Sequence, residues 1–389
     1  NYQKSQELRE QAFELKDKQD ELTYPSGKYR RGMSDEQIKD LAGKGQGSRG
    51  VSSEKIQDMA EAIELEDKID NLFDESRQLE DKAVKQVLSA MNVVCTTNST
   101  AGSGIMADHE FDVVVIDEAT QATEPSCLIP ITKAKKVIMA GDHKQLPPTI
   151  KNQEAAKRGL EETLFERLAY EYGDVIKDML TKQYRMHEDI MNFSSEHFYD
   201  GVLEADDSVI DHTLEDLDFD TSQVDESMQD VTDPVTPVSF INLTGSNVQE
   251  ESKKDSNSKL NREEAKYIIQ LSKNFLAGDI NPENLAVISP YQDQVDLIQS
   301  KLDYENLEVD TVDGFQGREK EVILISLVRS NRNNKIGFLR DVRRLNVALT
   351  RAKRKLVVVG DEVTVGSDET YQDFIEYVSK NGLHYTKVA

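Results

Sequence analysis

Two acidic side chains, Asp117 and Glu118, close the stretch "FDVVVIDEAT" (Phe111–Thr120), directly behind four apolar residues, Val113 to Ile116. Such a run reads as a buried strand, so the carboxylates fall at its end, where functional loops begin. Asp117 is placed to hold magnesium, directly or through water, and Glu118 to orient and deprotonate an attacking water. Phosphoryl transfer needs both, because its developing charge is neutralised by metal and by positioned donors. By itself the pattern also fits an ordinary strand end whose acids meet solvent.

Four further stretches carry side chains of matching use. "GDHKQLPP" (Gly141–Pro148) offers Gln145, an uncharged group that can bond both a γ-phosphate oxygen and a water; alone, it is equally a surface turn fixed by Pro147 and Pro148. "QYRMH" (Gln183–His187) offers Arg185, whose charge can meet a γ-phosphate in the transition state, and Tyr184, which can stack on a base. His187 beside them reads as a structural histidine. "DTVDGFQGREKEVILISLV" supplies Gly314 and Gly317 for close backbone approach and Thr311 as a phosphate donor. "RRLNVALTRAKRKLVVVGD" supplies Arg351 on a helix expected between Arg344 and Lys355, so only some of its cations can face one cleft.

These five stretches, in this order, resemble superfamily 1B helicases, and most of all the group of the nonsense-mediated-decay and immunoglobulin-mu-binding helicases. The likeness spans roughly residues 91–365. It implies two RecA-like domains that clamp ATP and Mg2+ and move 5′ to 3′ along single-stranded DNA or RNA. Under it, Asp117 is the metal carboxylate, Glu118 the water carboxylate, Gln145 the sensor, and Arg185 and Arg351 the fingers. Glu319 meets the ribose, Tyr184 stacks near the adenine, and Gly317 belongs to the ATP-binding loop. "CTTNSTAGS" and "SPYQDQ" match strand-contacting motifs, which makes Thr97, Asn98, Pro290, Tyr291 and Thr311 the candidates for the nucleic-acid path.

The elements that must position these residues give an α/β fold: two tandem RecA-like parallel-sheet domains, the first incomplete, behind an N-terminal helical arm. Residues 1–90 are charged and helical in pattern, with helices expected from Gln3 to Leu22, from Ser34 to Leu41 and from Ser53 onward, the last carrying an apolar stripe from Ile56 to Val87. This is the arm, resembling the stalk the family inserts into its first domain. Residues 91–185 hold "NVVCTTN", "FDVVVIDEAT" and "KKVIMAGDHKQ", the remainder of the first domain. Residues 186–389 form the second, with strands expected in "VSFINL", "NLAVISPY", "LEVDTVDGFQG", "EVILISLV" and "KLVVVGD". Inside it, residues 201–233 hold twelve acids and no Lys or Arg, and read as an exposed insertion.

A net charge of -26 ought to repel nucleic acid, yet the stretch 329–355 holds ten Lys or Arg and one acid, Asp341. The acidic surplus also suits a salt-rich cytoplasm, although Lys outnumbers Arg. No run of about 18 apolar residues exists to span a membrane, and no targeting segment is legible, which together point to the cytoplasm. Cys95 and Cys127 lack a CxxC or His partner and are expected to be buried, reduced thiols.

The family's GxxxxGK[ST] phosphate loop is not legible. Gly27-Lys28 is followed by Tyr29 and Gly43-Lys44 by Gly45, so neither pair supplies the hydroxyl for magnesium. Gly45–Gly50 matches GxGxxG literally but follows a polar helix rather than a strand. Two explanations stand: a piece of a longer helicase, or a shortened relative that binds nucleic acid without hydrolysing ATP. Either way the chain alone is expected to turn over little ATP, and an edge left open on the first sheet favours self-association.

Overall fold

Charged, helix-favouring residues open the chain, and the computed structural model, which describes residues 1–245 and 249–387, shows three helices of nine residues or more there, besides the single turn Gly27–Arg30. They are α1 (Tyr2–Asp20), α2 (Asp35–Gly43) and α3 (Ser53–Ala90). Ser34 and Gln37 form the expected capping box on α2. At 1.5 Å per residue α3 is about 57 Å long. Contacts between α1 and α3 descend in register, Asn1 to Gln86, Ser5 to Ser76 and Gln19 to Ala62, so the two helices are antiparallel. Ile56, Met59, Ile63 and Ile69 of the apolar stripe are buried. Val87 is exposed, because it lies past the last of these contacts.

The chain divides into two units, Asn1–Val114 with Pro125–Ile138, and Val115–Glu124 with Met139–Ala389. Strands β1 (Phe111–Ile116) and β2 (Ala134–Met139) pair with each other alone among the described residues. Burial was expected for both, but Val113, Val137 and Ile138 are exposed, since no third described strand joins them. Cys127 is buried as expected, whereas Cys95 is exposed.

The second unit is built on a six-stranded, wholly parallel sheet. Its strands are β3 (Val238–Asn242), β4 (Leu285–Ser289), β5 (Glu308–Thr311), β6 (Lys320–Ser326), β7 (Ala352–Gly360) and β8 (Leu383–Thr386). They lie in the order β8-β3-β7-β6-β4-β5. Residues of β3, β4, β6 and β7 are buried on both faces, which is why they read as continuous apolar runs. The helix expected from Arg344 to Lys355 is instead a helix ending at Leu349 followed by β7 from Ala352. The run Leu356–Val359 favours a strand and extends it backward through Lys353 and Arg354.

The acidic stretch 201–233 is not a solvated loop. Leu214, Phe219, Val224, Met228 and Val231 are buried with the sheet's core residues. Arg354 of β7 donates to Asp216, and the fully buried Lys355 donates to the carbonyls of Asp233 and Thr236. Its acids therefore face outward over a packed apolar layer.

A buried polar knot ties the helix Arg262–Ala277 to the end of β6. Glu264, fully buried on the helix Arg262–Ala277, accepts from the Ser326 hydroxyl at 2.8 Å, the Val328 N–H at 2.7 Å and Asn261 Nδ2 at 3.1 Å. The Val328 bond holds a β-branched residue at φ 70°, a conformation costly for its type. No helix among the described residues is long and apolar enough to cross a membrane.

Candidate functional site

β1 hands the chain to the carboxylates through a sharp backbone turn. Glu118 sits at φ 50°, in the left-handed region, and its N–H is accepted by Asp117 Oδ1 at 3.0 Å. Gln121 Nε2 then donates to Glu118 Oε2 at 2.7 Å. Both acids are exposed to solvent. Among the described residues no group of three or more His, Cys, Asp or Glu could hold a metal by itself. The hard oxygens of one or two carboxylates fit magnesium in its usual nucleotide-bound form, where phosphate and water oxygens complete the shell.

Beside this turn, Gly141 approaches Thr120 so closely that a Cβ would lie about 3.0 Å from it. Asp142 follows and gathers three donors. Its Oδ2 accepts Gln145 Nε2 at 2.9 Å and the Tyr199 hydroxyl at 2.5 Å, and its Oδ1 accepts the Lys144 N–H. Tyr199 in turn accepts from Asn346 Nδ2 at 2.8 Å, and Asn346 also donates to the Lys144 carbonyl. Burial first, and the Asp142 carboxylate second, push the Tyr199 hydroxyl far above its ordinary range, so it remains a donor. Gln145 is thereby held at its Nε2, with Oε1 left to face Arg351.

Arg351 is almost wholly buried just beyond the helix Arg343–Leu349. Its Nε donates to the Val347 carbonyl at 2.9 Å, and its Nη2 lies 3.1 Å from Thr350 Oγ1 and 3.5 Å from Gln145 Oε1. Burial and then the nearby Arg185 charge lower its pKa to about 10, with Glu118 pulling the other way, so it stays charged at neutral pH. Arg185 donates to the Thr350 carbonyl at 3.0 Å and pairs with Glu319. Lys353 adds a second cation 3.3 Å from Glu319. Burial would raise the Glu319 carboxyl, but Arg185 and Lys353 outweigh it and hold the group below its usual range.

Gln145, Arg185, Glu319 and Arg351 are thus brought into one cluster, with Glu118 near enough to act on Arg351. Tyr184, beside it in sequence, is exposed. Gly317 adopts φ 80°, which only glycine takes without strain. His187 accepts the Asp189 N–H and caps the helix Glu188–Phe198. Asp142, Tyr199 and Asn346 were not singled out by the sequence, since nothing in their spacing announces a triangle.

The residues expected on a nucleic-acid path fall in both units. In the first unit, Thr97 accepts the Thr100 N–H and Asn98 donates to Ser126 Oγ at 3.1 Å. In the second, Pro290 and Tyr291 follow β4, and Thr311 ends β5 with its hydroxyl accepting the Gly314 N–H. Tyr291 is buried, at 7% exposure, and its hydroxyl accepts from Arg329 Nη1 at 3.2 Å. These last residues sit at the C-terminal ends of the sheet, whereas Glu319 and Arg351 immediately precede β6 and β7 at the opposite ends.

The class of protein follows from comparison of the chain with known families. Two family models, each described as an AAA domain, match residues 1–153 and 160–363, the second covering more than half of the chain. The chain belongs to this AAA-domain family of superfamily 1 helicases. It is 44% identical over 382 residues to an uncharacterized ATP-dependent helicase of Methanocaldococcus jannaschii, covering 97% of this chain and 55% of that protein. It is 40% identical over 314 residues to the DNA-binding protein SMUBP-2 of Rattus norvegicus, covering 79% of this chain and 31% of that protein. The solved structure of PRRSV helicase aligns with 65% of this chain and 36% of its own, at 16% identity and a TM-score of 0.32. The chain therefore spans about half, or less, of the curated relatives it matches.

Proposed function

We propose that this chain is the motor portion of an ATP-dependent helicase or translocase that moves 5′ to 3′ along single-stranded DNA or RNA in the cytoplasm. The observation that carries the reading is the convergence of Gln145, Arg185, Glu319 and Arg351 from four separated stretches, in a chain of a helicase family. In this reading residues 1–90 are the arm, 91–185 the remainder of the first RecA-like domain, and 186–389 the second. Asp117 holds magnesium, which when bound neutralises charge on the transferring phosphoryl group. Glu118 takes a proton from the attacking water, and Gln145 positions that water. Arg351 and Arg185 stabilise the transition-state charge, Glu319 meets the ribose, and Tyr184 and Gly317 border the base and phosphates.

The 389 residues contain no GxxxxGK[ST], so this chain alone is expected to hydrolyse ATP slowly or not at all. That same fact favours the second reading, a helicase-like nucleic-acid-binding protein without catalysis. ATPase assays on the complete gene product, with and without single strands, separate them. Strand-stimulated turnover abolished by Glu118→Gln supports the motor. Strand binding without turnover in the complete product sinks it.

A further inference from the structure

One large aromatic side chain, Phe338, is exposed beside Tyr291 and near the loop that follows Thr311. Phe338 lies on the short turn Gly337–Arg340, between Ile336 and Leu339, both buried. Those two anchors pin the turn to the core, yet Phe338 remains 45% exposed. Exposure alone is ordinary for a surface aromatic; what distinguishes Phe338 is that the groups around it hold it in place.

The ring is held rather than loose. The Arg344 guanidinium stands over it, 3.7 Å from the centroid. Arg344 is fixed by ion pairs to Asp341 at 3.2 Å and to Asp313 at 3.5 Å, the latter in the loop that follows Thr311. The Phe338 ring also meets Tyr291, with centroids 6.1 Å apart and planes tilted by 51°. Tyr291 is itself fixed through its hydroxyl by the buried Arg329. Arg329 occupies the space beside Gly337, where any Cβ would collide with its guanidinium. Arg332, Lys335 and Arg340 are exposed around the same turn. A pre-oriented aromatic ring among cations is the arrangement that takes a base by stacking and its phosphates by charge.

We propose that Phe338 is a base-stacking side chain of the single-strand path, carried by its juxtaposition with Tyr291 and with Arg344 at the Thr311 loop. Tyr291, expected from sequence to meet the strand, is then the buried support of that ring. This inference rests on the nucleic-acid reading above and adds the residue that takes the base. The ligand is a nucleobase of any identity, since every base has a π-face.

The chain contains no tryptophan, so Phe338→Trp places a single indole fluorophore at the site. Binding of oligo-dT by the full chain is followed by anisotropy of a labelled strand, beside an abasic strand of equal length. The expected result is quenching of the introduced indole's emission by oligo-dT and not by the abasic strand. Phe338→Ala should weaken oligo-dT binding roughly five- to a hundredfold while leaving abasic binding unchanged. Phe338→Tyr should restore it. If the strand binds but the emission does not move and Phe338→Ala binds as tightly as the parent, the stacking role is wrong and the nucleic-acid reading stands. If the parent chain binds no strand, both fall together.

Discussion

Arg351 holds its Nη2 3.5 Å from Gln145 Oε1, although 206 positions separate them in the chain. Each is fixed by other bonds, Gln145 through Asp142 and Arg351 through Val347 and Thr350. The pair therefore presents a neutral donor-acceptor and a buried cation at one point. Phosphoryl transfer uses this combination, one group for the water and one for the charge.

Replacing Arg351 by Ala in the complete gene product is expected to lower kcat for ATP by on the order of a thousandfold or more, the usual worth of an arginine finger. Single-strand affinity should be nearly unchanged. Arg351→Lys should not rescue turnover, because a lysine has no fork to bond Val347 and Thr350 at once. Steady-state kinetics and strand anisotropy on the same preparations check this; equal losses in both would mean a structural defect.

Tyr199→Phe removes the hydroxyl that links Asp142 to Asn346. It leaves a partly buried carboxylate oxygen short of a donor, and stability should fall by about 1–3 kcal/mol. Urea denaturation with an unchanged m-value is the measurement. A neutral result would show that water replaces the hydroxyl there.

The buried carboxyl of Glu264 predicts a pH dependence of definite sign. Burial raises its pKa to about 8, against the pull of the Val328 and Ser326 donors and with Asp361 and Glu250 adding to the rise. An unfolded chain loses this proton near pH 4.5, whereas the folded chain keeps it toward pH 8. The folded state thus binds more protons between those values, and stability falls as pH rises through that window. Glu264→Gln should flatten the decline between about pH 5 and pH 8, read from urea midpoints at successive pH values. Parallel curves for parent and variant would contradict it.

Leu214 tests the acidic segment. It is fully buried with Phe219 and Val231, so Leu214→Ala should cost about 2–5 kcal/mol, as core truncations do. A surface loop would lose almost nothing. Thermal and urea melts of the two proteins distinguish these outcomes.

What the sequence revealed and concealed follows from which signals are local. The strand Phe111–Ile116 was legible because it is an apolar run that ends on polar residues, and β3, β4, β6 and β7 because burial on both faces leaves continuous Val, Ile and Leu. β8 was missed: "LHYT" is short, half-buried and at the sheet edge. The segment 201–233 was misread because twelve acids masked the residues that pack into the core, Leu214, Phe219, Val224, Met228 and Val231, whose irregular spacing has no strand or helix period. The Asp142–Tyr199–Asn346 triangle joins residues far apart in the chain, which no local pattern encodes. Phe338 was hidden because composition does not tell an exposed aromatic from its buried neighbours.

The seven-residue helix Arg343–Leu349 has one end at Phe338 and Asp313, through Arg344, and its other end runs directly into Arg351 and Gln145. About 10 Å of rigid backbone separates the two arginines. If nucleotide shifts one and a strand shifts the other, their binding free energies are no longer independent. Linkage then requires that the factor by which nucleotide changes strand affinity equal the factor by which the strand changes nucleotide affinity. A substitution at Asn346, mid-helix and bonded to Tyr199 and Lys144, should alter that shared factor more than either intrinsic affinity.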